Sequence, residues 1–452
     1  MEWLYFGLLI AIILVMFIVL KRPMYEAMAV GFLAVVIALG KIGSIGQYFA
    51  STVSFYALYM IAAFIVFGSV LERSNVIQDM IDIIISLVGR FSGGAGYVAL
   101  LASSAMGALS ASGPGNAAAV GTITIPTMKR TGFSAELAAT IEMAASALGP
   151  VIPPSNTIVI MYTTLETLYP GRFGFSEYWM FSWVIAFWFI AQRFITLFVL
   201  IKKYKVKPVP REERMPIKTA LKKGWQSLLL PVVVFLPLFL EAQFNDTFIT
   251  AQLGSSGAST FTAVLLETTP SLCVLFILAI CKGKGQSISV KRLTGMIYDC
   301  VENAAPVIVM VFFGFAISEV FDDAGVMDGI AASLSGMNIP LWVVCWIAPL
   351  VFTVLGMFLE GTAIILMFGP IFIPLAASVG IHPMLAAAMT NAMSYAMGHM
   401  TPPFALCFFI CMGIAESEFG KTTKLTIVWC VAQYILSVLI LYGALPMFGM
   451  LS

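Results

Sequence analysis

The sequence predicts an all-α polytopic membrane protein that contains two related halves. Of the 452 residues, 60% are hydrophobic and only 10% are charged, whereas about a quarter of the residues of a soluble protein are charged. The apolar residues form roughly ten to twelve segments of spanning or re-entrant length. An internal repeat and a double proline in each half, Pro153-Pro154 and Pro402-Pro403, indicate that the halves share one architecture.

The repeat pairs residues 107 to 155 with residues 356 to 403. A one-residue insertion in the second copy keeps the two double prolines aligned. The matched positions are Ile125-Pro126 with Ile373-Pro374, Gly132 with Gly380, Leu137-Ala138-Ala139 with Leu385-Ala386-Ala387, and Gly149 with Gly398. Each copy therefore predicts a re-entrant apolar hairpin followed by a helix that is broken at its prolines.

A proline inside a helix removes a backbone donor and displaces the carbonyl four residues earlier, at a cost of about 3 kcal/mol or more. The residue before it also leaves the helical region. The carbonyls that lose their helical partners are those of Gly149, Pro150, Gly398 and His399. Irregular backbone at membrane depth occurs where it is buried in protein or lines a wet cavity.

Free carbonyls beside the hydroxyls of Ser155 and Thr401 are hard oxygen ligands that suit an alkali cation. The N-termini of half-helices carry partial positive charge that suits an anion. Broken helices at corresponding places in two halves are typical of secondary transporters with a site near the midplane. The alternative is that the prolines only kink two packing helices.

The first elements are two predicted spans, at residues 3 to 20 and 24 to 40. The loop between them, Lys21-Arg22-Pro23, is basic and is predicted to be cytoplasmic, with the N-terminus outside. The first span has no basic stretch before it and no cleavage site after it, so we expect a retained helix. A third span covers residues 52 to 71, and residues 75 to 90 form an amphipathic helix.

The first hairpin is predicted to reverse at the stretch SASGPGN, through Gly113, Pro114 and Gly115. Its second arm ends at Lys129-Arg130. The helix ahead of the first break contains Glu142. A carboxylate inside a membrane span is a functional candidate by default, and pairing with a neighbouring hydroxyl is the structural alternative.

A span at residues 176 to 201 precedes a segment, residues 202 to 223, that holds nine lysines and arginines. This linker is predicted to be cytoplasmic. Further spans are predicted at residues 226 to 243, 269 to 281 and 304 to 320, with an ambiguous Ser/Thr/Gly-rich stretch from Leu253 to Thr260.

The second hairpin is predicted to begin near Pro340 and to place Glu360-Gly361-Thr362 at its tip, and a last span covers residues 426 to 445. Hydropathy leaves the number of crossings between the repeats open, and with it their relative orientation.

The remaining composition excludes several functions. The net charge of +1 carries no signature of nucleic-acid binding. The seven cysteines include no CxxC pair and are accompanied by only two histidines, so metal and redox chemistry are not supported. No HExxH or GxSxG motif is present, which argues against an intramembrane enzyme. Two unlike halves do not supply the ring of equivalent ligands of a channel filter.

The chain resembles the large membrane subunit of TRAP (tripartite ATP-independent periplasmic) transporters over nearly its whole length. The stretches that carry the resemblance are FGSVLERSNVIQDMIDIIISLVGRFSGG, SASGPGN, GTITIPTMKRTGF, IEMAASALGPVIPPS, GMFLEGTAIILMFGPIFIP and GHMTPP. The resemblance implies an elevator transporter with two inverted repeats in a bacterial inner membrane. It also implies sodium-driven uptake of an organic acid that a periplasmic binding protein delivers, together with a separate small membrane subunit.

Site residues follow from the same resemblance. The expected sodium-binding regions are Ser110, Ser112, Gly113, Gly115 and Asn116 with Gly149, Pro150 and Pro153, and Glu360, Gly361 and Thr362 with Gly398, Thr401 and Pro402. The expected substrate-binding residues are Ser110, Asn116, Ser155, Thr362 and His399. Two departures from the family pattern are Pro114-Gly115 in the first tip and His399 at the second break.

The resemblance also implies a division into scaffold and transport domain. Residues 1–90, which include the amphipathic arm, and residues 171–338 are expected to belong to the scaffold. Residues 91–170 and 339–418 are expected to form the two repeats of the transport domain, and residues 419–452 a C-terminal helix. The alternative function is an ion-coupled organic anion transporter or antiporter of the same superfamily that needs no binding protein and uses Glu142 and His399 for protons.

Overall fold

The structure is a computed structural model that describes residues 2–74, 76–285, 290–336, 339–402 and 405–451. These residues contain helices and no strand, which confirms the all-α prediction. Seven of the described helices are long and apolar enough to cross a membrane, and two further helix pairs qualify as single spans bent at a break. The chain is therefore a multi-pass membrane protein.

The first half contains ten helices in the described ranges. They are α1 (Glu2–Leu14), α2 (Met24–Ala38), α3 (Ile45–Ser54), α4 (Tyr56–Glu72), α5 (Val76–Val88), α6 (Gly94–Ser110), α7 (Gly113–Arg130), α8 (Ala135–Leu148), α9 (Asn156–Leu168) and α10 (Phe175–Tyr204). Helices α6 and α7 form the first hairpin, and α8 and α9 form the first broken helix, with a bend of 42° between them.

The second half repeats this order after a set of connecting helices. The described α-helices of the second half are α11 (Ile217–Gly224), α12 (Leu229–Phe244), α13 (Thr250–Gly283), α14 (Val290–Asp323), α15 (Val326–Gly336), α16 (Leu341–Gly356), α17 (Gly361–Ser378), α18 (Pro383–Ala392), α19 (Leu406–Ala415) and α20 (Phe419–Leu441). Helices α16 and α17 form the second hairpin, and α18 and α19 form the second broken helix.

A pair of glycines holds each hairpin against the break of its own repeat. A Cβ added to Gly149 would lie 2.3 Å from the Cα of Gly107, and one added to Gly356 would lie 2.1 Å from the Cα of Gly398. Side chains of any size are excluded at such backbone contacts. The same contact occurs at matched positions in both halves, so the repeat seen in the sequence is also a repeat in three dimensions.

The one-residue insertion in the second repeat has a structural counterpart. Helix α18 continues into a π-helical segment, Met393–Met397, that has no equivalent between α8 and the first break. A π-bulge accommodates one extra residue in a helix, and such bulges are frequent at functional sites. The extra residue therefore shifts the side chains that approach the second break without moving the glycine contact.

The two repeats run in opposite directions. The Lys129 ammonium, at the base of the first hairpin, donates to the carbonyl oxygen of Ala415 at 2.8 Å, which is at the far end of the second broken helix. At the other end of the molecule, the His382 ring, beside the base of the second hairpin, lies 5.5 Å from the Phe173 ring just beyond α9. Each hairpin base thus meets the far end of the other repeat, as the inverted arrangement requires.

Two predicted boundaries are wrong, and one stretch that the sequence leaves ambiguous is now assigned. The span predicted at residues 52 to 71 is divided at Phe55, where α3 and α4 meet at 55°. The ambiguous stretch from Leu253 to Thr260 is helical and lies in α13, with a kink at Gly254, where φ is +71°. The last span starts earlier than predicted because α20 begins at Phe419. At Leu253 to Thr260 and at the start of α20, a helix continues through polar residues that hydropathy alone reads as a loop.

The amphipathic helix predicted at residues 75 to 90 is α5, and it packs against the basic linker. The Lys223 ammonium of α11 lies 2.8 Å from a carboxylate oxygen of Asp82, and Lys284 pairs with Asp79. These contacts fix the first hairpin's entry to the end of the molecule that carries the basic residues.

Candidate functional site

The tip of the first hairpin reverses two residues before the predicted Gly113. Ala111, not one of the glycines, adopts the left-handed conformation, with φ at +54°. Ser112 is the N-cap of α7, and its hydroxyl accepts a hydrogen bond from the Gly115 amide at 3.0 Å. The Gly-Pro-Gly stretch therefore forms the first helical turn, where proline is tolerated because its missing N–H has no intrahelical acceptor.

The tip of the second hairpin has the same construction with a different cap. Glu360 is the N-cap of α17, and its carboxylate accepts a hydrogen bond from the Thr362 amide at 2.8 Å. A carboxylate at a helix N-terminus is stabilised by the positive end of the helix dipole. Glycine occupies the first helical position at both tips, Gly113 and Gly361.

Two aromatic rings from the second break contact both tips. The Tyr395 ring packs on Gly361, where an added Cβ would lie 2.6 Å from the ring, and the Tyr395 hydroxyl is 2.6 Å from the Thr362 hydroxyl. The His399 ring lies against Gly113, whose added Cβ would be 2.9 Å from Nδ1. His399 Nε2 is 4.0 Å from a Glu360 oxygen. The second break therefore holds the two tips together.

The carbonyls freed at the first break have found new partners within the protein. The Gly149 oxygen accepts from the Ile152 amide at 3.0 Å. The Pro150 oxygen accepts from the Thr157 hydroxyl at 2.5 Å and from the Asn391 amide of the second repeat at 3.3 Å. These oxygens are not bare, and each carbonyl that accepts one bond keeps a second lone pair.

Two of the predicted hydroxyl ligands are engaged in the same local manner. The Ser155 hydroxyl is the N-cap of α9 and accepts from the Thr157 amide at 3.3 Å. The Thr401 hydroxyl donates to the Gly398 carbonyl at 3.2 Å. Both side chains are buried. Pro402 follows directly on Thr401, and Pro403 lies outside the described residues.

A buried polar network joins α6, α7 and α8. The Glu142 carboxylate accepts hydrogen bonds from the hydroxyls of Ser103, Thr124 and Ser146. The Asn116 amide donates to the Ser103 carbonyl at 2.7 Å and to the Ser146 hydroxyl at 3.2 Å. Glu142 is 0% exposed, so the structure favours the hydroxyl-paired alternative for this residue.

A cavity of about 520 Å³ lies between the two tips. The predicted site residues that line it are Ser110, Ser112, Gly113, Gly115, Glu360, Thr362 and His399. The other predicted site residues lie away from its wall: Asn116, Gly149, Pro150, Pro153, Ser155, Gly361, Gly398, Thr401 and Pro402. The cavity wall is thus formed by most of the predicted tip residues together with His399, whereas the other predicted residues of the two breaks do not line it.

Sequence reasoning missed three residues of this region. Glu72, at the end of α4, and Tyr395 both line the cavity. Asn391 bridges to the first break and is 1% exposed. An acidic residue at the end of a span could have indicated Glu72, whereas the π-helical segment that positions Tyr395 leaves no signal in hydropathy.

The donor set at the breaks fits a hard cation. The side-chain oxygens of Asn116 and Asn391 are buried and have no hydrogen-bond partner among the described residues. Buried polar atoms are nearly always paired in native structures, so two orphaned amide oxygens near the tips and breaks need an explanation. Oxygen ligands of this kind suit sodium better than a transition metal.

Comparisons with known proteins agree with this architecture. The family described as "Tripartite ATP-independent periplasmic transporter, DctM component" matches residues 4–446. The C4-dicarboxylate TRAP transporter large permease protein DctM of Pseudomonas aeruginosa is 25% identical over 389 residues, which cover 86% of this chain and 84% of that protein. The sialic acid TRAP transporter large permease protein SiaM of Vibrio cholerae is 23% identical over 440 residues, 95% of each chain.

Among solved structures, the YdaH transporter of Alcanivorax borkumensis superposes with a TM-score of 0.65 over 90% of both chains at 14% identity, a likeness of fold alone. The family match spans nearly the whole chain and covers both hairpins and both breaks. The chain therefore belongs to the DctM component family of tripartite ATP-independent periplasmic transporters, as a large permease subunit and not an enzyme.

Proposed function

We propose that this chain imports an organic anion that carries a carboxylate, by sodium symport across a bacterial inner membrane. A small membrane subunit and a periplasmic substrate-binding protein complete the system. The observation that carries the proposal is the meeting of two inverted hairpin tips and the second break at one cavity of about 520 Å³. Paired broken helices around such a cavity are typical of secondary transporters.

Sodium is proposed to bind behind the cavity, at the junction of each hairpin with the break of its own repeat. In the first repeat, the available oxygens include the Asn116 amide oxygen and the second lone pair of the Gly149 carbonyl. The Pro150 carbonyl lies beside them and already accepts two hydrogen bonds. In the second repeat the available oxygens include the hydroxyls of Thr401 and Thr362. The Gly398 carbonyl lies next to Thr401 and accepts from its amide and hydroxyl. Bound sodium would supply positive charge that holds each tip in register with its break.

The proposed transport step is an elevator movement of the two repeats relative to the remaining helices. The cavity extends from the hairpin tips to Pro23, Met24 and Tyr25, next to the basic loop that is predicted to be cytoplasmic. Together these placements support an inward-facing state. Gly68 of α4 contacts the tip at Ser110, where an added Cβ would lie 2.8 Å from the Ser110 Cα, so this contact must break during the movement.

The test is uptake of labelled organic acids into proteoliposomes that contain this chain and its small subunit. We expect uptake to require both an inward sodium gradient and the binding protein. Asn116→Ala and Thr362→Ala should abolish it, whereas Thr268→Ala, at an exposed hydroxyl of α13, should leave it unchanged. Uptake that follows a proton gradient without any binding protein would contradict the proposal and favour the alternative transporter.

A further inference from the structure

Both hairpin tips already face a carboxylate that belongs to the protein. Glu360 caps α17 and accepts from the Thr362 amide at 2.8 Å. Glu72 reaches the N-terminal turn of α7, where a Cβ added to Gly115 would lie 2.8 Å from a Glu72 oxygen. The two helix N-termini that could attract a substrate carboxylate are therefore matched by acidic side chains from within the chain.

The basic side chain at the wall of the cavity, among the described residues, is the imidazole of His399, whose Nε2 lies 4.0 Å from a Glu360 oxygen. Among the cavity's lining residues in the described part of the chain, none is a lysine or an arginine. Glu72 and Glu360 approach from different elements, α4 and the second hairpin. A substrate that carries only negative charge would lose its hydration and meet like charges, which is unfavourable in a partly desolvated site.

One nitrogen of a histidine that lines the cavity lacks a hydrogen-bond partner among the described residues. His399 is 6% exposed and lines the cavity, and its Nδ1 has no hydrogen-bond partner among the described residues. The ring lies between Gly113 of the first tip and Glu360 of the second. A buried polar atom without a partner, at the wall of a cavity, points to a ligand that completes its hydrogen bonding.

We infer that the cavity binds a zwitterion, that is, an organic acid that also carries an ammonium group. The ammonium lies between Glu72 and Glu360, which satisfy it as paired acceptors. The substrate carboxylate lies toward His399 and the Tyr395 hydroxyl, which act as donors. This inference rests on the proposed function and narrows it from organic anions in general to those with a cationic group.

The experiment uses matched pairs of compounds that differ only in an ammonium or a hydroxyl group. Proteoliposomes that hold this chain, its small subunit and the binding protein receive an equimolar pool of L-amino acids and the 2-hydroxy acids of the same carbon skeletons, with a C4-dicarboxylate included. The internal content is then measured by mass spectrometry with and without an inward sodium gradient. We expect sodium to drive accumulation of at least one amino acid at least tenfold above its hydroxy acid.

Two variants connect this preference to the carboxylates. Glu72→Gln and Glu360→Gln should each lower accumulation of the amino acid at least tenfold and narrow the difference within the pair. Glutamine retains an oxygen that can cap α17 at position 360, and Glu72 caps no helix. Neither change therefore removes a helix cap, and a loss of uptake in both variants would not follow from a lost cap. Glu418→Gln is the matched control because that carboxylate is 61% exposed and pairs with Lys421 outside the cavity.

The outcomes separate this inference from the proposed function. Sodium-driven accumulation of hydroxy acids or of the dicarboxylate, at or above the level of the amino acids, would overturn the zwitterion and leave sodium symport standing. Accumulation of amino acids that is equal with and without sodium would overturn the symport and leave the substrate class standing. Unchanged uptake in both glutamine variants would overturn the role of the two carboxylates.

Discussion

The two hairpin tips share a backbone frame and carry different side chains. In both, a glycine begins the second arm. In both, a pair of glycines also brings the backbone of the first arm into contact with the break. The first tip is capped by the neutral hydroxyl of Ser112, and the second by the carboxylate of Glu360. Four residues after each cap the difference recurs, because Asn116 is polar and Ile364 is apolar.

This comparison shows which part of the architecture the repeat preserves. Backbone contacts between glycines recur in both halves because any side chain there would separate hairpin from break. Side chains around the tips have diverged, so the two repeats present different chemistry to one cavity. The predictions below test this distinction, first at the shared frame and then at the features that differ.

The largest expected effect is at the glycine pairs. Gly149→Ala and Gly356→Ala place a methyl group 2.3 Å and 2.1 Å from a backbone Cα, and a backbone atom cannot yield as a flexible side chain can. Overpacking costs typically about 1–3 kcal/mol and occasionally more, and we expect the upper end here. Unfolding in detergent, followed by circular dichroism, should show similar losses of stability in both repeats.

Gly413→Ala is the control for this prediction. Gly413 lies in α19 with open space around it, and alanine is the better helix former by about 1 kcal/mol. This variant should be as stable as the parent or more so. If an alanine at Gly149 left stability unchanged while one at Gly356 abolished folding, the shared frame would be refuted.

The next effect is specific to the second repeat. Arg193 of α10 is 0% exposed, and its guanidinium donates to the Ala396 carbonyl, inside the π-helical segment, at 3.1 Å. Its charge also lies 5.6 Å from the centre of the Trp429 ring. Arg193→Met leaves that carbonyl without this donor, and we expect a loss of about 1–3 kcal/mol in the free energy of unfolding.

Arg193→Lys should recover only part of this loss, because an ammonium cannot reproduce the planar fork of donors. Arg172→Met removes an exposed arginine and should change stability by less than about 0.5 kcal/mol. Equal losses at positions 172 and 193 would show that Arg193 has no particular role in holding the π-helical segment.

The sequence predicted the shared frame better than the differences. Double prolines, glycine-rich turns and the repeat itself follow from backbone chemistry, so the hairpins, breaks and their pairing were correctly predicted. The predicted position of the reversal was wrong. Gly113, Pro114 and Gly115 are equally suited to a first helical turn, which they form here, and the chain reverses at Ala111.

Contacts between distant elements could not be read from the sequence. Glu72 of α4 lies beside the first tip, and Arg193 of α10 donates to the Ala396 carbonyl. Both contacts depend on how these helices pack in the fold, and no local sequence pattern specifies that packing. Likewise, the insertion in the alignment did not reveal that its consequence is a π-helical segment carrying Tyr395 and Ala396. The assignment of individual sodium and substrate ligands stays a prediction.

A smaller effect is expected at the polar network of the first repeat. Asn116→Leu introduces the apolar character that Ile364 has at the matched position of the second repeat. It removes the donors to the Ser103 carbonyl and the Ser146 hydroxyl, which should cost about 1–2 kcal/mol. The reciprocal change, Ile364→Asn, should cost a similar amount by burying an amide without this network. A neutral result for Asn116→Leu would show that the network contributes no net stability.

The smallest effect on stability is expected when the caps are exchanged. Glu360→Ser gives the second tip the cap of the first. Serine and acidic residues are both good acceptors at an N-cap, so the free energy of unfolding should change by less than about 1 kcal/mol. Glu360→Ala removes the acceptor for the Thr362 amide and should cost about 1 kcal/mol. Ser112→Ala should cost a similar amount at the first tip, where the Gly115 amide loses its acceptor. If Glu360→Ser proved as destabilising as Glu360→Ala, the carboxylate would be needed for the fold itself, and its charge could not be assigned to ligand binding alone.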